Sequence, residues 1–254
     1  MRRLLKRIAF ITGAGTGIGR ACAFAFAREG ALVALAARRT SPLTAVAQEI
    51  RAAGGEALAL ECDVTNRPAV ENALLQAEQR FGRIDIIVNN AGAVVVASAE
   101  NTSDEDWNRI LATNLTGTFL VSRAALPALR RAGGGTIINI GSILGIVARK
   151  DRAAYCATKA GVSGLTRAMA LDHAADKIRV NCICPSLVET DLGTQVMSKN
   201  PDAQAERNKR IAEIPLGRIG TPDDVAMMAV YLASDEASWI TGASFPLDGG
   251  LTAY

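Results

Sequence analysis

Thr12-Gly13-Ala14-Gly15-Thr16-Gly17-Ile18-Gly19 follows directly on the apolar run Ile8–Ile11 and opens into a helical stretch, Arg20–Arg28. Gly13, Gly17 and Gly19 have the spacing G-x-x-x-G-x-G. Missing side chains let a backbone turn sharply and approach a pyrophosphate, which then sits at a helix N-terminus. A glycine turn alone is weak evidence, because any tight strand-to-helix turn favours the residue. The spacing also differs from the commoner G-x-G-x-x-G. The residue after Gly19 is Arg20 rather than Lys, which argues against a nucleotide triphosphatase loop.

Outward from that turn, apolar runs and helical stretches alternate to the end of the chain. The runs are Ile8–Ile11, Leu32–Ala36, Ala57–Leu60, Ile84–Val88, Thr136–Ile140, Val180–Ile183 and a short Ser244–Leu247. Between them, Arg20–Arg28, Pro42–Ala53, Pro68–Arg80, Asp104–Arg131 and Ala153–Ala174 carry helical spacing. Continuously apolar strands separated by helices imply a parallel sheet covered on both faces. No linker or internal repeat interrupts the pattern. The expectation is one doubly wound, Rossmann-like α/β domain over residues 1–254. One stretch, Ser186–Arg210, is polar and irregular, and it lies beyond a strand's carboxyl end. A substrate lid over about residues 186–213 is expected there.

Composition agrees with a single core. The chain has 254 residues, 49% of them apolar and only 4% aromatic, which suits helices packed closely on a sheet. A net charge of +3, with dispersed arginines and no aromatic stacking platform, does not point to a nucleic-acid partner. The basic start MRRLLKR leads into only four apolar residues, so it reads as a lead-in to the first strand rather than a targeting segment. No run approaches a membrane-spanning helix, and no membrane partner is expected. Cys22, Cys62, Cys156, Cys182 and Cys184 are scattered, without CxxC, and His173 is the only histidine. They read as reduced thiols of a cytoplasmic protein, with no metal site.

The end of the second strand is where an acid would hold a ribose 2′-hydroxyl or a base a 2′-phosphate. Here the chain offers Ala36, Ala37, Arg38 and Arg39 and no acid. A guanidinium clamps a phosphate with paired hydrogen bonds. The pattern favours NADP(H), with NAD(H) as the alternative.

Four further strings complete a pattern: Asn89-Asn90-Ala91-Gly92, Ser142, Tyr155-Cys156-Ala157-Thr158-Lys159, and Ile240-Thr241-Gly242 with Asp248-Gly249-Gly250. Together with the glycine turn, they resemble the single-domain short-chain dehydrogenase/reductases over essentially the whole chain. The resemblance implies a nicotinamide oxidoreductase interconverting a secondary alcohol and a ketone. It implies cofactor contacts at Gly13, Thr16, Gly17, Ile18, Gly19, Arg38, Arg39, Asp63, Val64, Asn90, Ala91, Gly92, Tyr155, Lys159, Pro185, Val188 and Thr190. Asn114, Ser142, Tyr155 and Lys159 match its catalytic four. The family's usual Pro-Gly after the sixth strand is Pro185-Ser186 here. The added Cβ raises the question of the local backbone.

The four residues suit carbonyl and alcohol chemistry. Tyr155 and Lys159 are four apart, on one helix face. A phenol titrates near pKa ~10, and a neighbouring ammonium favours the phenolate. Ser142, beyond a strand end, can donate to the substrate oxygen, and the Asn114 amide can anchor a water relaying protons to Lys159. Tyr155 would then act as general acid in reduction and general base in oxidation.

Competing classes fit less well. A hydrolase would need G-x-S-x-G and a histidine base, and Gly161-Val162-Ser163-Gly164 lacks the final spacing. A non-catalytic redox sensor would not need Tyr155 and Lys159. A 3-oxoacyl-acyl-carrier-protein reductase shares the motifs and stays open. For the substrate, Ser142, Arg152 and Tyr155 are the candidate contacts. Arg152, three residues before Tyr155, could bind a carboxylate bidentately, as in a hydroxy acid or sugar acid; the plainer alternative is a surface arginine paired with Asp151. Family members of this length are usually homotetramers, with the stretch Trp239–Leu251 as a natural contact.

Overall fold

The computed structural model describes residues 2–197 and 202–253. Its strands are β1 (Ile8–Thr12), β2 (Leu32–Ala37), β3 (Glu56–Glu61), β4 (Ile86–Asn89), β5 (Gly135–Ile140), β6 (Ile178–Pro185) and β7 (Ser244–Leu247). All pair in parallel, in the order β3-β2-β1-β4-β5-β6-β7. The chain runs outward one way from β1 to β3 and the other way from β4 to β7. The order therefore reverses between β1 and β4, and a crevice opens outside their carboxyl ends. This is the doubly wound, Rossmann-like α/β fold expected.

The helices are α1 (Gly17–Arg28), α2 (Thr40–Ala52), α3 (Arg67–Phe81), α4 (Asp104–Leu111), α5 (Gly117–Arg131), α6 (Ala153–Asp172), α7 (Asp191–Met197), α8 (Ala203–Glu213) and α9 (Pro222–Ala233). Alternation along β1 divides the core into two layers. Ala9 and Ile11 pack with Phe26 of α1, Leu43 of α2 and Val230 of α9. Phe10 faces the other way, onto Val70 of α3, Val121 of α5 and Met169 of α6. The central strands β1, β4, β5 and β6 bury both faces, which is why their runs read as continuously apolar. A buried polar chain pins α6 to the sheet: Asn89 Nδ2 donates to Asn139 Oδ1 at 2.9 Å, and Asn139 Nδ2 donates to Thr166 Oγ1 at 2.9 Å.

Two expectations need correction. The helical stretch 104–131 is not continuous. α4 passes into one π-helical turn, Ala112–Thr116, before α5 resumes. The added residue in that turn leaves the apolar spacing on either side intact, so periodicity does not reveal it. Ser186–Arg210 is also not irregular where it is described: it contains α7 and most of α8. α8 buries none of its residues, so no apolar stripe marks it; its visible signal is Asp202, whose carboxylate accepts from Ala205 N at 2.8 Å as an N-cap. Residues 198–201 of that stretch lie outside the described residues. Among the described residues, no helix is long and apolar enough to cross a membrane.

Candidate active site

The glycine turn closes over the carboxyl end of β1. Gly13 has φ +64°, and a Cβ on it would lie 2.8 Å from Asn90 Nδ2. A Cβ on Gly19 would lie 2.3 Å from the Gly13 carbonyl oxygen, so only glycine lets α1 start this close. Asn90 fastens the turn from β4: its Nδ2 donates to the Thr12 carbonyl at 2.9 Å and the Gly13 carbonyl at 3.2 Å. Thr12 Oγ1 accepts from Asn90 N and Ala91 N, both at 3.0 Å.

α1 begins without a side-chain cap and without an acid in its first turn. Its leading N–H groups and the positive end of its dipole therefore face the crevice, a fit for a diphosphate. A cavity beside it is lined by Gly13, Thr16, Arg38, Arg39, Asp63 and Val64, with Ala91 and Gly92 at its inner end. Arg38 and Arg39 are exposed there. The Asp63 carboxylate is engaged by Thr65, whose N and Oγ1 donate to Oδ1 at 2.9 and 2.8 Å. These residues fit a dinucleotide.

Next to this cavity lies a largely apolar pocket that shares Asn90 and Gly92 with the dinucleotide side. Ser142, Tyr155, Lys159 and Arg152 all line it, as do Ile18, Pro185, Val188 and Thr190. Ser142 follows β5 and caps a short 3₁₀ turn: its Oγ accepts from Leu144 N at 3.1 Å and lies 3.4 Å from the Pro185 carbonyl. Tyr155 and Lys159 project from the first turns of α6. Lys159 is 6% exposed, and its Nζ donates to the Ile140 carbonyl at 2.8 Å, 5.7 Å from the centre of the Tyr155 ring.

The π turn between α4 and α5 carries Asn114 inward to 1% exposure. Its Oδ1 accepts from Ala93 N at 2.8 Å, while Nδ2 donates to the Ala93 carbonyl at 3.0 Å and to Thr158 Oγ1 at 3.2 Å. Both amide hydrogens are thereby committed, one to the loop after β4 at Ala93 and one to Thr158, which braces α6 between Tyr155 and Lys159. A water on this amide has only the remaining Oδ1 lone pair to use.

Arg152 is not a surface arginine. It is 7% exposed and its Nη1 donates to the Asp151 carbonyl at 2.7 Å, with no ion pair to the Asp151 carboxylate among the described residues. Asp151 takes φ +58°, a left-handed turn that an aspartate tolerates, and the chain enters α6 with Arg152 in the pocket wall. Burial first, and the charge of Arg149 second, lower the Arg152 guanidinium below its usual value. Ser186 does not take a positive φ and donates its N–H to the Leu247 carbonyl at 3.2 Å, so the missing glycine leaves the backbone in an ordinary conformation.

Most of the expected residues line these neighbouring cavities, whereas Gly19 is packed under the glycine turn and Asn114 stands behind α6, neither of them in a cavity wall. The structure adds some that sequence reasoning missed. Arg149, Leu187, Leu192 and Glu213 also line the apolar pocket, and Thr158 braces Asn114. Arg149 carried a signal, three residues before Arg152; Glu213, in a helix without an apolar stripe, carried none.

Comparison with known proteins places this geometry. A family model described as enoyl-(acyl carrier protein) reductase matches residues 13–252. 2-(S)-Hydroxypropyl-CoM dehydrogenase 3 of Xanthobacter autotrophicus is 41% identical over 254 residues, covering 99% of this chain and 98% of that protein. Meso-2,3-butanediol dehydrogenase of Serratia marcescens is 41% identical, covering 99% of this chain and 96% of that one. The crystal structure of a short-chain type dehydrogenase/reductase from Mycobacterium marinum superposes with a TM-score of 0.93 at 40% identity, covering 99% of this chain and 97% of the other. With a match over nearly its whole length, the chain belongs to the short-chain dehydrogenase/reductase family.

Proposed function

We propose that this oxidoreductase, which interconverts a secondary alcohol and a ketone, works by proton transfer through Tyr155, prefers NADP(H), and takes a substrate bearing an anionic group. A nicotinamide cofactor bound along the glycine turn supplies or accepts the hydride. In reduction, the Tyr155 hydroxyl gives its proton to the carbonyl oxygen; in oxidation, the phenolate takes the alcohol proton. Ser142 Oγ donates to the same oxygen and steadies its developing charge. Lys159, buried beside the ring, holds the ribose side of the cofactor. Asn114 fixes the start of α6, and one lone pair of its Oδ1 remains for a relay water.

The observation that carries this reading is the shared pocket: proton donor, hydroxyl and ammonium line one apolar cavity that opens directly onto the dinucleotide cavity. Cofactor preference rests on Arg38 and Arg39, exposed on that second cavity without an acid at the end of β2. Substrate charge rests on Arg152, a buried guanidinium lining the reaction pocket. The lid is assigned to the stretch 186–213, of whose described residues Leu192 of α7 and Arg210 and Glu213 of α8 line the pocket. The relatives' names agree with small alcohols, one of them carrying the CoM group.

Cytoplasmic residence and a homotetramer belong to the same proposal. Five free cysteines suit a reducing compartment, and burial pushes the Cys22 thiol up to about 12 and Cys62 up to about 11, keeping both protonated and inert. Trp239, 99% exposed, and Leu216, 73% exposed, are apolar side chains that subunit contact would cover.

The test is a panel of acidic ketones, neutral ketones and 3-oxoacyl thioesters with NADPH and NADH, followed at the nicotinamide absorbance. Tyr155→Phe should lower kcat by about 10²–10⁴-fold while cofactor affinity stays near wild type. A Tyr155→Phe enzyme with ordinary turnover would sink the assignment, and preference for a thioester would transfer it to 3-oxoacyl reduction.

A further inference from the structure

The reaction pocket carries more positive charge than proton transfer uses. Arg149 and Arg152 stand on the turn before α6, and Arg210 reaches in from α8. Arg152 is buried, and its Nη1 donates to the neighbouring Asp151 carbonyl. Arg149, in contrast, is held across the pocket by a carboxylate. Its Nη2 lies 2.8 Å from Glu213 Oε2 and 3.2 Å from Oε1. Glu213 is the last residue of α8, and its carboxylate also lies 3.6 Å from Arg210 Nη1.

We propose that Glu213 determines specificity by occupying, on Arg149, the place of the substrate's anionic group, so that only an anionic substrate displaces it and frees the end of α8. This rests on the anionic-substrate reading above. The exchange is physically inexpensive. One carboxylate leaves Arg149 Nη2, the single nitrogen that Glu213 engages, and another anion takes its place, where it can use two nitrogens of the guanidinium fork. Glu213 is not orphaned, because Arg210 stays beside it, and Arg210 is itself held by Glu206 at 2.5 Å. An ion pair whose side chains are 35% and 31% exposed is weak enough to exchange. The incoming anion gains more than Glu213 loses, since from inside the pocket it can also meet Arg152. Arg149 and Arg152 raise each other's electrostatic energy, and an anion between them lowers both. A neutral ketone gains nothing from Arg149 and leaves Glu213 in place. Glu213 therefore competes with an anionic group for Arg149 and leaves a neutral ketone unaffected, so its charge sets how strongly the pocket prefers the anion.

The test uses acetoacetate and ethyl acetoacetate, which differ in charge at one end of the same ketone. Each is titrated calorimetrically into the full-length enzyme saturated with the oxidised nicotinamide cofactor, in which a ketone cannot be reduced. The quantity read is the ratio of the two dissociation constants. Glu213→Gln, an isosteric change, should shift that ratio about two- to fivefold towards acetoacetate, and added salt should erase the gain. Arg149→Gln should shift it the opposite way. An unchanged ratio in Glu213→Gln overturns this inference and leaves the anionic-substrate reading standing, provided that Arg152→Ala weakens acetoacetate selectively. An unchanged ratio in Arg152→Ala counts against the anionic reading itself.

Discussion

α1 and α9 pack against one another, and each is preceded by a threonine, Thr16 and Thr221, but the two threonines are used in opposite ways. At α9, Thr221 Oγ1 accepts from Asp224 N at 3.2 Å, and Asp224 Oδ2 accepts from Thr221 N at 2.7 Å. This reciprocal box is extended by Arg218 Nη1, 2.6 Å from the same carboxylate oxygen. At α1, Thr16 makes no cap bond and no acid follows it. The α9 end meets its own hydrogen-bonding needs. The α1 end leaves its N–H groups and dipole to a ligand. Identical residue types at identical positions thus separate a helix start that serves the fold from one left open for the proposed cofactor.

The comparison breaks most directly if α1 is given the cap it lacks. Thr16→Asp places a carboxylate where the diphosphate is proposed to sit. About 2 kcal/mol of repulsion and lost donors corresponds to roughly 30-fold weaker cofactor binding. The same substitution should stabilise the cofactor-free enzyme by about 0.5–1 kcal/mol, because a better cap replaces an idle threonine. Fluorescence titration and thermal melts of the apo enzyme read the two effects separately. If both cofactor affinity and apo stability stayed at wild-type values, α1 would be an ordinary helix start.

A smaller effect sharpens what this end of the fold recognises. Arg38 lies on the rim of the same cavity, exposed, with the Asp63 carboxylate engaged by Thr65. Arg38→Asp replaces the proposed phosphate clamp with a charge that repels phosphate and accepts from a ribose hydroxyl. The ratio of kcat/KM with NADPH to that with NADH should fall about tenfold, the size expected for one partly solvated charge-assisted contact. An unmoved ratio would remove Arg38 from cofactor selection.

The same contrast explains what the sequence allowed one to read. Apolar runs such as Ile8–Ile11 and Thr136–Ile140 mark strands because burial on both faces requires it. Gly13 and Gly19 mark the turn because a Cβ there collides with backbone or Asn90. Tyr155 and Lys159 were legible through helical spacing. Each of these signals is local. The bracing of Asn114 was hidden because the π turn that aims it leaves no trace in periodicity. Arg149 and Glu213 are 64 residues apart in sequence and meet only through the placement of α8, a helix with no buried residue to announce it. Pocket chemistry set by side chains from different elements is therefore less readable than a backbone cradle.

The smallest effect tests the other side of the comparison. Thr221→Ala removes one half of the α9 box and should destabilise the protein by about 1 kcal/mol. For a domain of this size that corresponds to a melting temperature lower by about 2–4 °C. Cofactor affinity should stay at the wild-type value, because this helix end serves the fold alone. The pH dependence follows from Asp224. The Arg218 guanidinium first, and the Thr221 N–H and hydroxyl next, hold its carboxyl well below the usual carboxylate range, against the opposing effect of burial. A depressed folded-state pKa stabilises the protein at pH values above the unfolded carboxyl pKa of ~3.9, and that stabilisation is lost as the pH falls through the folded value. Thr221 Oγ1 lies 2.9 Å from Asp224 Oδ2, so part of its contribution needs the charged carboxylate. The gap in stability between wild type and Thr221→Ala should then be full at pH 7 and narrow below pH ~4. Weaker cofactor binding in Thr221→Ala would mean that the two helix starts are not separate devices, because disturbing the cap of α9 would have reached the site through its packing on α1.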